Sequence, residues 1–161
     1  MKLLNLLSKA LEAICFLLMA VMVAVTFSQV VNRFVFHGSF FWAEECAILT
    51  MVWMTFLGSA IAMGRGSHTR IDFLINMLPA KLRTVMEVVD YLVIGAFTAA
   101  LGYFSLPIIR TTGRQFTTGM KIPRSILFYS VLVGSVLIVL YCVVLAIKQA
   151  VSLRAGGEAA E

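Results

Sequence analysis

The sequence predicts an all-α integral membrane protein with four transmembrane helices and a short amphipathic interfacial helix between helices 2 and 3. Hydrophobic residues make up 61% of the 161 positions, and the mean hydropathy is +0.97. Only 13% of the residues are charged, whereas a soluble domain carries about a quarter of its residues as charges. Such a chain lacks the polar side chains to cover an aqueous surface, so its solvent is lipid.

Four apolar runs have the length of about 20 residues that a helix needs to cross about 30 Å of hydrocarbon. They extend from Leu11 to Val31, from Ala43 to Met63, from Val85 to Ile109 and from Pro123 to Val151. The first run is too long for the apolar region of a signal peptide, about 7–15 residues, so we expect an uncleaved first span. Pro123 suits the first turn of a helix, where its missing N–H has no partner.

The chain is expected to form one four-helix transmembrane domain over residues 1–155, followed by a disordered tail over 156–161. Four spans place both termini on one side of the membrane, and lysine and arginine are more frequent on that side. The positive-inside tendency therefore favours cytoplasmic termini. The termini side carries Lys2, Lys9, Arg65, Arg70, Lys81, Arg83, Lys148 and Arg154, and the opposite side carries Arg33, Arg110, Arg114, Lys121 and Arg124.

The connection between the second and third spans carries a helical pattern. Ile71, Leu74, Ile75 and Leu78 are spaced at i, i+3, i+4 and i+7, which places them on one face of a helix. Pro79 then interrupts the pattern. We expect a short amphipathic helix lying in the cytoplasmic interface; the alternative is that the third span begins early.

Composition and spacing argue against several functional classes. The basic residues that give the net charge of +5 are scattered between apolar runs, so a nucleic-acid surface is not expected. The three cysteines (Cys15, Cys46 and Cys142) lie inside apolar runs and are interpreted as packing residues. His37 and His68 fall on opposite membrane faces, which argues against haem. We therefore predict no enzyme activity, no metal site and no bound cofactor.

Acidic residues inside a span are costly and so are candidates for function. Glu87 and Asp90 lie three residues apart on one face of the third span. We interpret them as an intramembrane charge network near the interface, with an ion site as the alternative. Glu12 is placed in the first turn of the first span, where it reaches lipid headgroups or pairs with Lys9.

The start of the second span carries two neighbouring carboxylates, Glu44 and Glu45, which the helix dipole favours at that position. They share a membrane face with Arg33, Arg110 and Arg114. We expect at least one of these arginines to pair with a glutamate and to tie helix ends together.

Small residues in the spans predict close helix packing. They occur near the end of the second span, which includes Gly58, and within the third and fourth spans. Trp42 suits the membrane interface. Trp53 lies about 16 Å deeper by helical rise and is interpreted as a packing anchor. These features describe a scaffolding surface and not a catalytic one.

Two stretches together resemble a known family. The first contains Arg33 and Trp42-Ala43-Glu44-Glu45, and the second, after Trp53 and Gly58, contains His68, Ile71 and Asp72. The sequence resembles the small membrane subunit (DctQ type) of TRAP transporters, the tripartite ATP-independent periplasmic carriers. The matching motifs cover roughly residues 32–83, and the layout of four spans agrees over nearly the whole chain.

The resemblance implies a division of labour in a bacterial inner membrane. A large membrane subunit moves substrate and binds sodium, and a periplasmic substrate-binding protein delivers an organic acid such as a dicarboxylate, a sialic acid or a keto acid. The small subunit, in contact with membrane lipids, is part of the static scaffold. The resemblance assigns structural or subunit-interface roles to Arg33, Trp42, Glu44, Glu45, Gly58, His68 and Asp72, and the residue pattern adds Trp53.

Two other functions remain open at this point. A small multidrug-resistance-type exporter also has four helices, acts as a homodimer and uses a glutamate in its first span for proton exchange, which Glu12 would supply. The second open function is that of an accessory subunit of another membrane complex, such as a respiratory enzyme.

Overall fold

The computed structural model describes residues 2–38, 40–65 and 80–158. Four helices fill most of these ranges: α1 (Lys2–Val35), α2 (Phe41–Gly64), α3 (Ala80–Thr112) and α4 (Ser125–Glu158). Each contains a segment long and apolar enough to cross a membrane. The prediction of four transmembrane helices is therefore confirmed. The predicted interfacial helix over residues 69–78 lies outside the described residues.

The helices extend beyond the predicted apolar runs because hydropathy marks the part of a helix in the membrane, not the end of its backbone hydrogen bonding. α1 begins at Lys2 and not near Leu11, and α3 begins at Ala80. α4 continues through Glu158, so residues 156–158 of the predicted tail are helical. α4 begins at Ser125, since Pro123 forms an isolated bridge with Phe116 in the preceding loop.

The helices pack in the order α1, α2, α4, α3. Extensive contacts join α1 to α2, α2 to α4 and α4 to α3, and the contact between α4 and α3 is the most extensive of the three. This open row leaves broad apolar faces uncovered. In the 18-residue window that marks each candidate span, no more than 33% of the residues are buried within the chain, and in the α1 window none is.

Two clusters of buried apolar residues lie toward one end of the helices, which we call the termini end because α1 begins there and α2 and α4 end there. One cluster includes Met63 of α2 and Tyr141 and Cys142 of α4. A second cluster joins Leu11 of α1 to Leu57 and Ile61 of α2, and Trp53 packs against it. The opposite end, which carries the α1–α2 and α3–α4 connections, is called the paired-loop end.

Two glycines explain how α4 approaches its neighbours so closely. A Cβ atom added at Gly134 would lie 2.6 Å from the Cβ of Phe56 on α2, and one at Gly102 of α3 would collide with the Ser135 hydroxyl of α4. Transmembrane helices associate through this kind of close packing because lipid tails supply no hydrophobic drive between them. The small residues are therefore part of the α2–α4 and α3–α4 contacts.

Polar contacts secure α1 at the termini end. The hydroxyls of Ser8 and Tyr141 share a hydrogen bond of 2.9 Å. Arg65, at the end of α2, forms an ion pair with Glu12 of α1. These two contacts hold the N-terminal part of α1 against α2 and α4.

Replacing Tyr141 with phenylalanine should weaken this attachment without removing the packing of the ring. We expect the free energy of unfolding to fall by about 0.6 kcal/mol, the average for interhelical hydrogen bonds in a membrane protein. Unfolding in mixed detergent measures this change in the free energy of unfolding. Tyr129→Phe, an exposed tyrosine on the same helix, is the control, and an equal loss in both variants would contradict the assignment.

Candidate functional site

The loop between α3 and α4 folds back on itself at the paired-loop end. The Thr117 N–H donates to the Ile122 carbonyl at 2.9 Å, and the Arg124 N–H donates to the Gln115 carbonyl at 2.8 Å. The Ile122 N–H also donates to the Thr117 hydroxyl at 3.1 Å. Lys121 adopts a φ of 54°, a left-handed conformation that reverses the chain. These bonds leave the N–H groups at the tip of the loop facing α2.

The carboxylate of Glu45, in the first turns of α2, accepts those N–H groups. Its Oε1 accepts from the Gly119 N–H at 2.9 Å and from the Thr118 hydroxyl at 3.1 Å, and its Oε2 accepts from the Met120 N–H at 2.7 Å. Charge-assisted hydrogen bonds of this kind are about twice as strong as neutral ones. We call Glu45, Thr118, Gly119 and Met120 the loop clamp.

Gly119 is essential to the close approach in the loop clamp. A Cβ atom at this position would lie 2.8 Å from both the Cα and the N of Trp42. The loop backbone therefore rests directly on the first turn of α2. Trp42 itself remains 43% exposed and pairs with the ring of Phe40 at 5.7 Å.

The structure corrects the expected pairing of a glutamate with an arginine at this face. Among the described residues, Arg33, Arg110 and Arg114 form no ion pair with Glu44 or Glu45, and all three are exposed. Glu45 does tie helix ends together, but through backbone amides. The physical reason is that the loop tip offers fixed, otherwise unpaired N–H donors, whereas the arginine side chains remain solvated. Glu44 is exposed.

Glu12 also has a different partner from the one predicted. Because α1 begins at Lys2, Glu12 lies well inside the helix and not in its first turn. Its carboxylate pairs with Arg65 and not with Lys9. This contact belongs to the attachment of α1 described above.

Glu87 and Asp90 have unequal surroundings. Glu87 is 7% exposed and accepts a hydrogen bond from the side-chain amide of Gln149 on α4, whereas Asp90 is exposed. A neutral amide is thus a partner of Glu87 in the α3–α4 contact. Within the described residues, no group of three or more His, Cys, Asp or Glu side chains comes close enough together to hold a metal ion.

Glu87→Gln and Glu87→Leu should separate a structural role from an ion-binding role. Glutamine keeps a carbonyl oxygen that accepts from Gln149, so it should lose less stability than leucine. Leucine removes the acceptor, which we expect to cost about 1–3 kcal/mol. The free energy of unfolding tests both, with Asp90→Asn as the exposed control. Equal destabilisation by the glutamine and leucine variants would instead favour a role for the charge itself.

The remaining predicted residues lie apart from the loop clamp. Trp53 packs against the cluster of Leu11 and Leu57. In the part of the chain that the structure describes, no atom beyond the helix's own backbone lies within 4 Å of a Cβ built on Gly58. His68 and Asp72 lie outside the described residues.

Several partners found in the structure were missed by sequence reasoning. The run Thr117-Thr118-Gly119 is a short cluster of loop-forming residues and could have marked the loop tip, but nothing in its composition indicates that a carboxylate on another helix binds it. Tyr141 and Gln149 look like ordinary residues of a long helix. Only the packing of α4 against its neighbours shows their hydrogen bonds.

Comparison with known proteins identifies the family. The sequence profile described as "Tripartite ATP-independent periplasmic transporters, DctQ component" matches residues 22–152, most of the chain. The chain belongs to this family. The resemblance inferred from residues 32–83 is thereby confirmed, and the matched region contains α2, α3 and the loop clamp.

Three relatives illustrate the range of proteins that this DctQ-family chain resembles. The Vibrio cholerae C4-dicarboxylate TRAP transporter small permease protein DctQ is 32% identical over 83 residues, which cover 52% of this chain and 36% of that protein. The sialic acid TRAP transporter small permease protein SiaQ of Vibrio cholerae is 36% identical over 96 residues, or 57% and 55%. The Haemophilus influenzae sialic acid TRAP transporter permease protein SiaT is 39% identical over 59 residues, or 37% and 10%. The aligned segments thus span between a tenth and about half of these relatives.

Proposed function

We propose that the chain is the small membrane subunit of a TRAP transporter, which associates with a large membrane subunit. In this role it supports sodium-coupled uptake of an organic acid that a periplasmic binding protein delivers. The observation that carries the proposal is the family match over residues 22–152. Relatives named for two substrates, C4-dicarboxylates and sialic acid, both resemble the chain, so the substrate class proposed is organic acids in general.

The alignment with SiaT supports a large membrane partner. The 59 matched residues form only 10% of that protein, which is named a permease. A segment similar to this chain is therefore joined covalently to a much longer sequence in that relative. Such a fusion supports physical association where the two parts are separate chains.

The open row of helices supports a scaffold role. Glycine inside a helix lowers helix stability by about 1 kcal/mol relative to alanine. At Gly134 and Gly102, close contacts within the chain leave no room for a Cβ, which explains why glycine is present. Gly58 has open space beside it, so its small size serves no contact within the described residues. A helix of another subunit would need this space to pack closely against α2.

Replacing Gly58 with leucine should therefore impair assembly without unfolding the chain. We expect helical content and unfolding of the isolated chain to match the wild type, while recovery of the large subunit falls about tenfold, as a loss of about 1.4 kcal/mol in association implies. Ala100→Leu, at an exposed position of α3, is the matched control. Full recovery with the Gly58 variant would place the subunit contact elsewhere on the chain.

The charge distribution supports the proposed orientation. In a bacterial inner membrane with both termini in the cytoplasm, the paired-loop end faces the periplasm. There the loop clamp holds a surface on which Arg33, Arg110, Arg114 and Glu44 are exposed, within reach of an approaching binding protein.

Sodium is expected to bind in the large subunit. Glu12, which an exporter would need as a free carboxylate, is paired with Arg65.

Uptake measurements in cells test the proposed function. A strain that lacks this chain should lose sodium-dependent uptake of at least one member of a panel of labelled C4-dicarboxylates, sialic acids and keto acids. Re-expression of the chain should restore that uptake. If uptake of every member of the panel is independent of the chain, the proposal is wrong.

A further inference from the structure

A half-open cavity of about 210 Å³ lies beside the loop clamp, between the first turns of α2 and α4. Its lining includes Ile48 and Leu49 of α2 and Ile126 and Leu127 of α4, which we call the apolar wall. Two charged side chains, Glu45 and Arg124, also line it, and we call them the rim because each precedes the apolar residues of its helix in sequence. The cavity thus combines an apolar wall with a charged rim.

The position of the cavity matches the boundary between headgroups and hydrocarbon. α2 enters its candidate span at Phe41 and α4 enters at Ser125. Ile48 and Leu49 lie about 10–12 Å along α2 from that entry point, at 1.5 Å per residue. Arg124 immediately precedes α4. The α2 side of the cavity therefore reaches the depth of acyl chains, whereas Arg124 lies at the depth of headgroups.

The two charges at the rim are complementary to a zwitterionic headgroup. Arg124 is exposed and forms no ion pair among the described residues, and its guanidinium suits a phosphate group. Glu45 Oε1 already accepts two hydrogen bonds, whereas Oε2 accepts one. The Thr117 hydroxyl is a further hydrogen-bond partner of this carboxylate. The negative charge of the carboxylate attracts a compact ammonium group that carries N–H donors.

We propose that this cavity is a binding site for a phospholipid with an ethanolamine headgroup, from the leaflet at the paired-loop end. Arg124 binds the phosphate, the ammonium donates to Glu45 Oε2, and an acyl chain lies on the apolar wall. An anionic headgroup without an ammonium would place its charge near Glu45 with no compensation. Free phosphate would leave the apolar wall unused. The site binds lipid through this chain alone and does not depend on the identity of the transported substrate.

Native mass spectrometry of the full-length chain tests the site. The protein is reconstituted in nanodiscs of equal phosphatidylethanolamine, phosphatidylcholine and phosphatidylglycerol, released into mild detergent, and scored for retained lipid. We expect the wild type to retain phosphatidylethanolamine preferentially. Arg124→Gln should lower that retention about tenfold, the effect of losing one charged hydrogen-bonding partner. Arg114→Gln, an exposed arginine of the same loop that does not line the cavity, should behave like the wild type.

A second variant tests the apolar wall independently of charge. Ile48 is 47% exposed, so Ile48→Trp should fill the cavity without disturbing the fold and should also reduce lipid retention. Phosphatidylcholine carries no N–H donor, so retention equal to that of phosphatidylethanolamine would overturn the ammonium contact. Equal retention of phosphatidylglycerol, or wild-type retention by the Arg124 variant, would overturn the site. So would a photocrosslink from position 48 in native membranes that captures a protein helix and no lipid.

Discussion

Gly134→Val should break the contact between α2 and α4. A single Cβ at this position would lie 2.6 Å from the Cβ of Phe56, well inside van der Waals distance, and valine adds two further methyl groups. Both neighbouring backbones are fixed in long helices, so the helices must separate or shift. Overpacking of this kind costs about 1–3 kcal/mol, and α2–α4 is the central contact of the row.

The free energy of unfolding in mixed detergent measures this effect. Gly58→Val is the matched control, since it makes the same substitution in a transmembrane helix where, among the described residues, no atom beyond the helix's own backbone lies within 4 Å of an added Cβ. Phe56→Ala should partly rescue Gly134→Val, because it removes the ring against which the new methyl groups press. A Gly134 variant as stable as the Gly58 variant would show that the α2–α4 contact is not packed as described.

Glu45→Gln should release the loop between α3 and α4. The carboxylate uses both oxygens, Oε1 for Gly119 and Thr118 and Oε2 for Met120. An amide has only one acceptor oxygen, and its NH₂ group would face a backbone N–H donor. At least one of the two backbone bonds must therefore be lost in the variant, although the side chain keeps its size and shape.

Amide hydrogen exchange reports this loss directly. We expect the Gly119 or the Met120 N–H to exchange about tenfold faster or more in the variant, as local opening becomes less costly. Glu44→Gln is the control, because Glu44 is the neighbouring acid, is exposed and is not part of the loop clamp. Unchanged exchange at both amides, or equal acceleration by the Glu44 variant, would contradict the role given to Glu45.

Hydropathy and length were enough to predict the four membrane spans, because burial in lipid requires about 20 apolar residues whatever the packing. They were not enough to predict where the helices end. The polar residues Ser8 and Lys9 placed the predicted start of the first span at Leu11, yet the helix begins at Lys2 and Ser8 bonds to Tyr141. A helix can continue beyond the membrane because its backbone hydrogen bonds do not require apolar side chains.

The candidate site could be predicted only in part. Glu45 stood out as an acid at the start of a span, but its partners are backbone N–H groups of residues 119 and 120. Backbone amides have no sequence signature, so the pattern favoured the nearby arginines instead. Similarly, the small residues indicated close packing, but only the three-dimensional arrangement separates Gly134, which contacts Phe56, from Gly58, which faces open space.

Copurification from native membranes tests the central claim most directly. The tagged chain is extracted in mild detergent, and the recovered proteins are identified by mass spectrometry. The proposed function predicts recovery of a much larger polytopic membrane protein, whose identity would also narrow the range of substrates. Recovery of the chain only with copies of itself would contradict the role of a small TRAP transporter subunit.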